Sequence, residues 1–278
     1  MRDFTKELPA HTQKYIGSND LFLEIFEGGE FPAAVEERPP LLFVHGAFTG
    51  SWMWSKYIPH FLREGWKCYV MNLRSHYRSR LLDMTRVTFE DYLEDIKAVI
   101  AECEAPPILI GFSMGGILGQ KIAEITDIAG LVLIDSSISK EVHEKVPFQD
   151  AVDKITTDII VPAPAREEVL SQDETADDIA FQRKYLTMES SKAFSAFSFH
   201  FGTEGISINS KLISCPCLVI SAVNDADDDR RGKLTAEHLS ADYTGLWGTT
   251  HTGLLVGMRY LEAVTRIMDW LKRFYSKR

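Results

Sequence analysis

A serine flanked by glycines, in Gly111-Phe112-Ser113-Met114-Gly115, has the spacing of a nucleophile held on a tight turn. The apolar run Ile108–Ile110 precedes the serine, and a helix-prone stretch, Ile117–Ile125, follows it. In this strand–turn–helix context the hydroxyl stands clear of the chain, and glycines on either side remove side chains that would collide. The pattern therefore predicts that Ser113 is a catalytic nucleophile.

A serine nucleophile needs a base within hydrogen-bond reach and a third group that orients the base. Among the eight histidines, His251 is the best placed, in a loop of small residues before the last helix. The orienting acid should follow a strand that lies between Ser113 and His251 in the chain. We predict Asp225, which comes just after the apolar run that begins at Cys217. Asp135, directly after another strand-like run, is the second candidate.

Acyl transfer also needs backbone N–H groups aimed at the developing oxyanion. One comes from the residue after the nucleophile, which is Met114, and the other from the loop after an earlier strand. In the segment His45–Trp52 we predict Ala47 as that second donor, with Phe48 next in preference. The aromatic residues Phe48 and Trp52 of the same segment predict an apolar substrate-binding surface.

Short apolar runs separated by helical patterns predict the elements that position these residues. Runs this apolar fit strands that are covered on both faces, as in a parallel sheet. Helical spacing extends over Thr88–Glu104 and Glu262–Phe274, so the alternation predicts an α/β fold with helices on both faces of the sheet. Leu21–Phe26 partly alternates, as an edge strand does, and the other predicted strands are Leu41–Val44, Cys68–Met71, Ile108–Ile110, Leu131–Ile134 and Cys217–Ile220.

One interval interrupts this alternation. Between Asp135 and Cys217 the chain is polar, acidic and helix-prone, which predicts a helical cap, or lid, over the carboxyl ends of the strands. We place this insert at residues 139–209 and the core domain at residues 1–138 and 210–278.

Composition limits the function classes. The 278 residues carry a net charge of −10 and no basic block, which is unfavourable for binding nucleic acid or an anionic membrane. Four scattered cysteines do not suit a disulfide framework or a metal site. The charged N-terminal residues lack the apolar centre of a signal peptide. We expect a soluble cytoplasmic protein with a small-molecule substrate and no metal, and the sequence leaves a homodimer open.

Together these features resemble the α/β-hydrolase superfamily. The resemblance rests on His45-Gly46 after one strand, the Gly111–Gly115 turn, Asp225 in a late-strand loop and His251 before the last helix. It implies a mostly parallel eight-stranded sheet with helices on both faces, a helical cap, and an acyl-enzyme mechanism that needs no cofactor. Phe112 stands where the family commonly has histidine, which leaves the subfamily open.

The expected activity is hydrolysis of a small to medium, largely apolar and neutral carboxylic ester or lactone. Hydroxynitrile lyases of this superfamily have a loop similar to His45-Gly46-Ala47-Phe48, but they carry a lysine directly after the catalytic histidine. This chain has Thr252 at that position, which argues against cyanohydrin cleavage. Carbon–carbon bond hydrolases and cofactor-free haloperoxidase-like enzymes share the same three catalytic residue types and stay open as alternatives. A non-catalytic small-ligand receptor on this fold is the alternative of another class.

Overall fold

The computed structural model describes residues 2–28, 38–148, 158–166, 171–199 and 203–275. The strands in these ranges are β1 (Thr12–Ile16), β2 (Leu21–Phe26), β3 (Leu41–Val44), β4 (Cys68–Met71), β5 (Ile108–Phe112), β6 (Gly130–Ile134), β7 (Ile160–Val161), β8 (Glu189–Ser190), β9 (Cys217–Val223) and β10 (Asp242–Trp247). The α-helices are α1 (Ile58–Arg63), α2 (Phe89–Ile100), α3 (Met114–Ile125), α4 (Lys140–His143), α5 (Ala176–Tyr185), α6 (Ser191–Phe197), α7 (Ala226–Leu239) and α8 (Tyr260–Tyr275).

Eight of the strands form one sheet in the order β1-β2-β4-β3-β5-β6-β9-β10. The pairs β1–β2 and β2–β4 are antiparallel, and all other neighbours are parallel, which confirms the predicted fold class. The direction in which the chain adds strands reverses between β3 and β5. From β3 the chain goes to β4 on one side, and it then returns to place β5 on the other side of β3. In open α/β sheets ligands bind at such a switch point, beyond the carboxyl ends of the strands.

The strands are apolar because helices cover both faces of the sheet. Leu41 and Phe43 of β3 point to the side on which α1 and α8 pack, whereas Leu42 and Val44 point to the side of α2, α3 and α7. All four side chains are fully buried. Alternation on a strand thus places apolar residues in two separate cores.

Local signals set the ends of helices as the sequence predicts. The Thr88 side chain accepts a hydrogen bond from the Asp91 N–H, and the Asp91 side chain accepts one from the Thr88 N–H, so α2 begins with a capping box. The predicted helix before the C-terminus is α8, whose apolar residues Val264, Ile267 and Leu271 are buried in the core.

The prediction that Leu21–Phe26 is an edge strand is wrong. β2 lies between β1 and β4, and β1 forms the edge. The residues Thr12–Tyr15 of β1 are exposed or half-buried, so they carry no apolar run that the sequence could show.

The insert contains α4, α5, α6 and the small antiparallel pair β7–β8 among its described residues. The domain boundaries at residues 138 and 210 stay a prediction. No helix in the described part of the chain is long and apolar enough to span a membrane. All four cysteines are free, with Cys68 and Cys217 buried.

Candidate active site

Ser113 occupies the sharp turn between β5 and α3. Its φ of 53° and ψ of −118° lie in a region that non-glycine residues rarely adopt. A Cβ at Gly111 would lie 2.3 Å from the Gly115 carbonyl oxygen, and a Cβ at Gly115 would lie 2.3 Å from the Val44 carbonyl oxygen. Both glycines are therefore required by close backbone approach, as the sequence pattern predicts for a nucleophile turn.

The loop after β3 lies against this turn. A Cβ at Gly46 would lie 3.1 Å from the Cβ of Ser113. The buried His45 ring fixes the loop, because its Nε2 accepts from the Leu73 N–H at 3.1 Å and its Nδ1 donates to the Gly46 carbonyl oxygen at 2.8 Å. Burial, together with the nearby His76, holds the pKa of His45 well below 6.5, so the ring is neutral and keeps this pattern.

The two backbone N–H groups that the sequence predicts as oxyanion donors directly follow Gly46 and Ser113 in the chain. Among the hydrogen bonds of the described residues, the N–H groups of Ala47 and Met114 have no acceptor. The Phe48 N–H, the other donor considered, donates to Glu189 Oε2 at 3.3 Å. The choice of Ala47 and Met114 stays a prediction, and this pattern favours it over one with Phe48.

His251 lies beside the nucleophile turn. Its ring stacks on Phe112, with the centroids 4.4 Å apart and the planes at 30°. Its Nδ1 lies 2.5 Å from Oδ2 of Asp135. Because a carboxylate only accepts, Nδ1 carries the proton and Nε2 is left as the basic nitrogen of the neutral ring. Within the described residues no hydrogen bond joins Ser113 to His251, and catalytic contacts are often longer in the absence of substrate.

The structure does not place Asp225 at His251, which corrects the predicted acid. Asp225 is the N-cap residue of α7, and its Oδ1 accepts from the N–H groups of Asp227 at 2.9 Å and Asp228 at 2.8 Å. The second candidate, Asp135, holds the expected place. The α7 N-terminus has N–H groups without intrahelical partners, and the Asp225 carboxylate serves to bind two of them.

Asp135 is held by the sheet itself. It directly follows β6, its N–H donates to the Ile220 carbonyl oxygen at 2.7 Å, and its φ is 41°. Its Oδ1 accepts from the Ala222 N–H at 2.9 Å, while Oδ2 is bound to His251. Both oxygens of the carboxylate therefore have a fixed partner, which sets the direction in which Oδ2 points.

Ser113, Asp135 and His251 line one cavity of about 360 Å³. Its apolar wall contains Phe197 and other side chains of the insert and of the loop after β6, and its polar wall contains residues of α7. Burial, together with the carboxylates of Asp225 and Asp135, raises the pKa of Asp228 in this wall. The remaining apolar lining residues are Ile138, Phe148, Phe199, Val219 and Ala222.

The two predicted substrate-binding aromatics do not line this cavity. Trp52 is 2% exposed and packs in the core, stacked on Tyr185 and edge-on to Phe181, so its assignment to substrate stays a prediction that this packing does not favour. Phe48 is half-buried and packs edge-on against Phe194 of the insert at 5.1 Å. Spacing along the chain carries no signal that these two rings pack against Phe181, Tyr185 and Phe194 of the insert.

A buried ion pair joins the insert to the loop between β4 and α2. His76 Nε2 and Glu189 Oε2 are 3.0 Å apart, and both side chains are fully buried. Glu189 also accepts from the Tyr92 hydroxyl at 2.5 Å and from the Phe48 N–H. Burial alone would lower the pKa of His76, but the Glu189 carboxylate outweighs it and raises that pKa above 6.5. Burial likewise opposes the charge of Glu189, and His76 and Tyr92 keep its pKa below 4.5.

A larger cavity of about 910 Å³ lies elsewhere, lined by Phe4, Lys56, Asp178 and Tyr260 among others. It contains none of the predicted catalytic residues, and its Lys56 is already paired with Asp178. In the described ranges no group of three His, Cys, Asp or Glu side chains could hold a metal ion. The chemistry at Ser113 therefore identifies the smaller cavity as the candidate active site.

Comparison with known proteins gives a consistent result. The model of the Alpha/beta hydrolase family matches residues 41–263. No curated protein matches the chain at a significant level. Solved structures with the same fold include a carboxylesterase from the thaumarchaeon Nitrososphaera gargenis, which is 18% identical with a TM-score of 0.66, over 95% of this chain and 98% of that one.

Two further structures are similar to the same degree. A thermophilic esterase from Thermogutta terrifontis is 18% identical with a TM-score of 0.67, over 96% of this chain and all of that one. The enol-lactonase from Burkholderia xenovorans LB400 is 18% identical with a TM-score of 0.66, over 93% and 99% of the two chains. At this level of identity the likeness establishes the fold, and the activity has to be argued from the site.

Proposed function

Because the chain belongs to the alpha/beta hydrolase family, we propose that it is a serine hydrolase that cleaves a neutral carboxylic ester or lactone through an acyl-enzyme. The observation that carries this proposal is the hydrogen bond between His251 Nδ1 and Asp135 Oδ2, made beside a serine on a nucleophile turn. A histidine oriented by a carboxylate and placed next to a serine hydroxyl is the arrangement that activates a serine.

In the proposed mechanism, Asp135 keeps the proton of His251 on Nδ1. His251 Nε2 takes the proton of Ser113 Oγ as that oxygen attacks the carbonyl carbon, and the N–H groups of Ala47 and Met114 bind the oxyanion. His251 then returns the proton to the leaving alcohol oxygen, which leaves an acyl group on Ser113. Water repeats both steps, so the acid is released and Ser113 recovers its proton.

The cavity supports a small to medium substrate. Its volume of about 360 Å³ is near the lower end for small-molecule sites. Ile138, Phe197 and Phe199 offer an apolar wall for an acyl or alkyl group. Among the described lining residues, the carboxylates of Asp135 and Asp228 face one guanidinium, that of Arg231, which lies 3.3 Å from Asp228, and this balance favours a neutral substrate over an anionic one.

The test is hydrolysis of p-nitrophenyl esters with acyl chains of two to about eight carbons, compared between wild type, Ser113→Ala and Ser198→Ala. Ser198 lines the same cavity and is the matched serine control. We expect Ser113→Ala to lower kcat/KM by about 10³-fold or more, whereas Ser198→Ala changes it by less than about 3-fold. A fluorophosphonate probe should label wild type and Ser198→Ala and leave Ser113→Ala unlabelled.

Each other outcome has a definite meaning. Activity that survives Ser113→Ala would refute the nucleophile assignment. Labelling of Ser113 without turnover of any ester or lactone would keep the reactive serine and refute the ester substrate. Tight small-ligand binding with neither labelling nor turnover would favour the receptor over the enzyme.

A further inference from the structure

The loop between β10 and α8, residues 248–259, carries His251 and lies against the insert. Asp173 of the insert is 3% exposed and reaches under this loop. Its Oδ2 accepts from the Thr249 hydroxyl at 2.6 Å and the Thr250 N–H at 2.7 Å, and its Oδ1 accepts from the Thr250 hydroxyl at 2.8 Å. Ser171 adds a fourth bond to Oδ1 at 3.2 Å. Three of the four donors thus belong to the two residues directly before the histidine.

The backbone of the loop is fitted closely around this carboxylate. A Cβ at Gly253 would lie 1.8 Å from Asp173 Oδ2, and a Cβ at Gly257 would lie 2.5 Å from the Asp173 carbonyl oxygen. That carbonyl oxygen accepts from the Met258 N–H at 2.7 Å. The two glycines after His251 are therefore explained by Asp173, since any side chain there would push the loop off the insert.

The next residue of the insert holds the other neighbour of the histidine. Glu174 Oε1 accepts from the Thr252 hydroxyl at 2.7 Å, and its Oε2 is paired with Arg166 at 2.5 Å. Thr250 and Thr252, on either side of His251, are thus both bound to the insert.

The histidine itself depends on this support. The His251 side chain is 49% exposed, and its ring is held by one hydrogen bond and one stacking contact. Its distance from Ser113 is set by where the loop backbone lies. A displacement of about 1 Å in a catalytic group can cost about 10²-fold in rate.

We propose that Asp173 is a positioning residue for His251, so that the insert forms part of the catalytic framework as well as covering the site. The inference rests on the proposed function, because it takes His251 as the base. The hydrogen bonds from Thr249 and Thr250 outweigh burial and keep the pKa of Asp173 below 3.8, so the carboxylate that they bind is charged at neutral pH.

Asp173→Asn tests this with Asp178→Asn as the matched control. Asp178 is a buried carboxylate of the same insert that binds Lys56 and Thr175. Among the described hydrogen bonds it reaches the histidine loop only through Lys56, whose Nζ lies 3.4 Å from the Gly257 carbonyl oxygen. We expect Asp173→Asn to lower kcat by about 10- to 100-fold with KM changed less than about 3-fold. Asp178→Asn should lower the melting temperature and leave kcat per active site within about 3-fold of wild type.

A double-mutant cycle separates positioning from general destabilisation. In a His251→Ala background Asp173 has no base to position, so Asp173→Asn should change the residual rate less than about 2-fold. The same loss in both backgrounds would overturn the proposal. Thr249→Val, which removes one donor and keeps the shape of the side chain, serves if Asp173→Asn does not fold, and its expected loss in kcat is about 3- to 10-fold.

A third readout does not need activity. The Thr250 N–H is bonded to Asp173, so Asp173→Asn should speed hydrogen exchange of this amide by about 10-fold or more, while Asp178→Asn leaves it unchanged. If neither ester hydrolysis nor fluorophosphonate labelling depends on Ser113, the proposed function fails, and this exchange still decides whether Asp173 holds the loop. Equal exchange in the two variants would refute the inference whatever the activity.

Discussion

The substitution Asp135→Asn exchanges one oxygen of the carboxylate for an NH₂ group, and the structure determines which one. The Ala222 N–H donates to Asp135 Oδ1, so this position must keep an oxygen. The NH₂ group is then placed against His251 Nδ1, at the position of Oδ2. Nδ1 can only accept from it, which moves the ring proton to Nε2 and removes the lone pair that must take the Ser113 proton.

We expect this wrong tautomer to lower kcat by about 10⁴-fold at pH 7, the size of loss known for the same exchange in a serine protease. At about 1.4 kcal/mol for each factor of ten, the activation free energy rises by about 5 kcal/mol. The assay is steady-state hydrolysis of a p-nitrophenyl ester, with the rate of fluorophosphonate labelling as a second measure of Ser113 reactivity. KM and the melting temperature should change little, because the side-chain shape and the bond to Ala222 are retained.

Asp225→Asn is the control for this experiment. Asparagine caps a helix as well as aspartate does, so the bonds to the N–H groups of Asp227 and Asp228 survive. We expect less than about a 3-fold change in kcat. If Asp225→Asn abolishes activity and Asp135→Asn does not, the acid is Asp225 and our reasoning from the structure is refuted.

Two further predictions concern stability. Glu189→Gln leaves His76 without its carboxylate partner, and we expect the free energy of unfolding at pH 6 to fall by about 3 kcal/mol in urea denaturation. The folded pKa of His76 is raised, so this stability difference should shrink as the pH rises from 6.5 through the folded pKa of His76. The folded pKa of Glu189 is lowered, so the difference should also shrink as the pH falls from 4.5 through the folded pKa of Glu189. A difference that does not depend on pH would contradict the ion pair. Gly115→Ala places a Cβ 2.3 Å from the Val44 carbonyl oxygen, so it should cost about 1–3 kcal/mol of stability. An unchanged melting temperature for Gly115→Ala would show that the turn is looser than the structure has it.

The strands that the sequence predicts are those whose apolar runs are buried on both faces. Every residue of β5 (Ile108–Phe112) and of β6 (Gly130–Ile134) is buried. Their apolar runs alone therefore predict the ends of both strands to within two residues. β1 was missed for the opposite reason, since Thr12–Ile16 lies at an exposed edge and only Ile16 is buried. Periodicity detects burial, and an edge strand with little burial leaves no such signal.

The site could be predicted where it depends on local backbone and not where it depends on distant contacts. The turn at Ser113 needs its glycines within five residues, so the motif is visible in the sequence. The partner of His251 is 116 residues away, and chain order alone allowed both Asp135 and Asp225. The contacts of Asp173 with Thr249 and of Glu189 with His76 span 76 and 113 residues and had no sequence pattern to indicate them.

The position of the proposed acid after β6 has a consequence for the rest of the site. The Ser113 N–H donates to the Ile134 carbonyl oxygen and the Asp135 N–H to the Ile220 carbonyl oxygen, so nucleophile and acid follow neighbouring parallel strands in one continuous register. The loop after β9 is then free of the catalytic role. Its Asp225 caps α7, and this helix places Asp228 and Arg231 in the wall of the cavity. With the proposed acid after β6, we expect the α7 side of the cavity to contact the substrate, so substitutions at Asp228 should change the relative kcat/KM for different esters more than the rate of the chemical step.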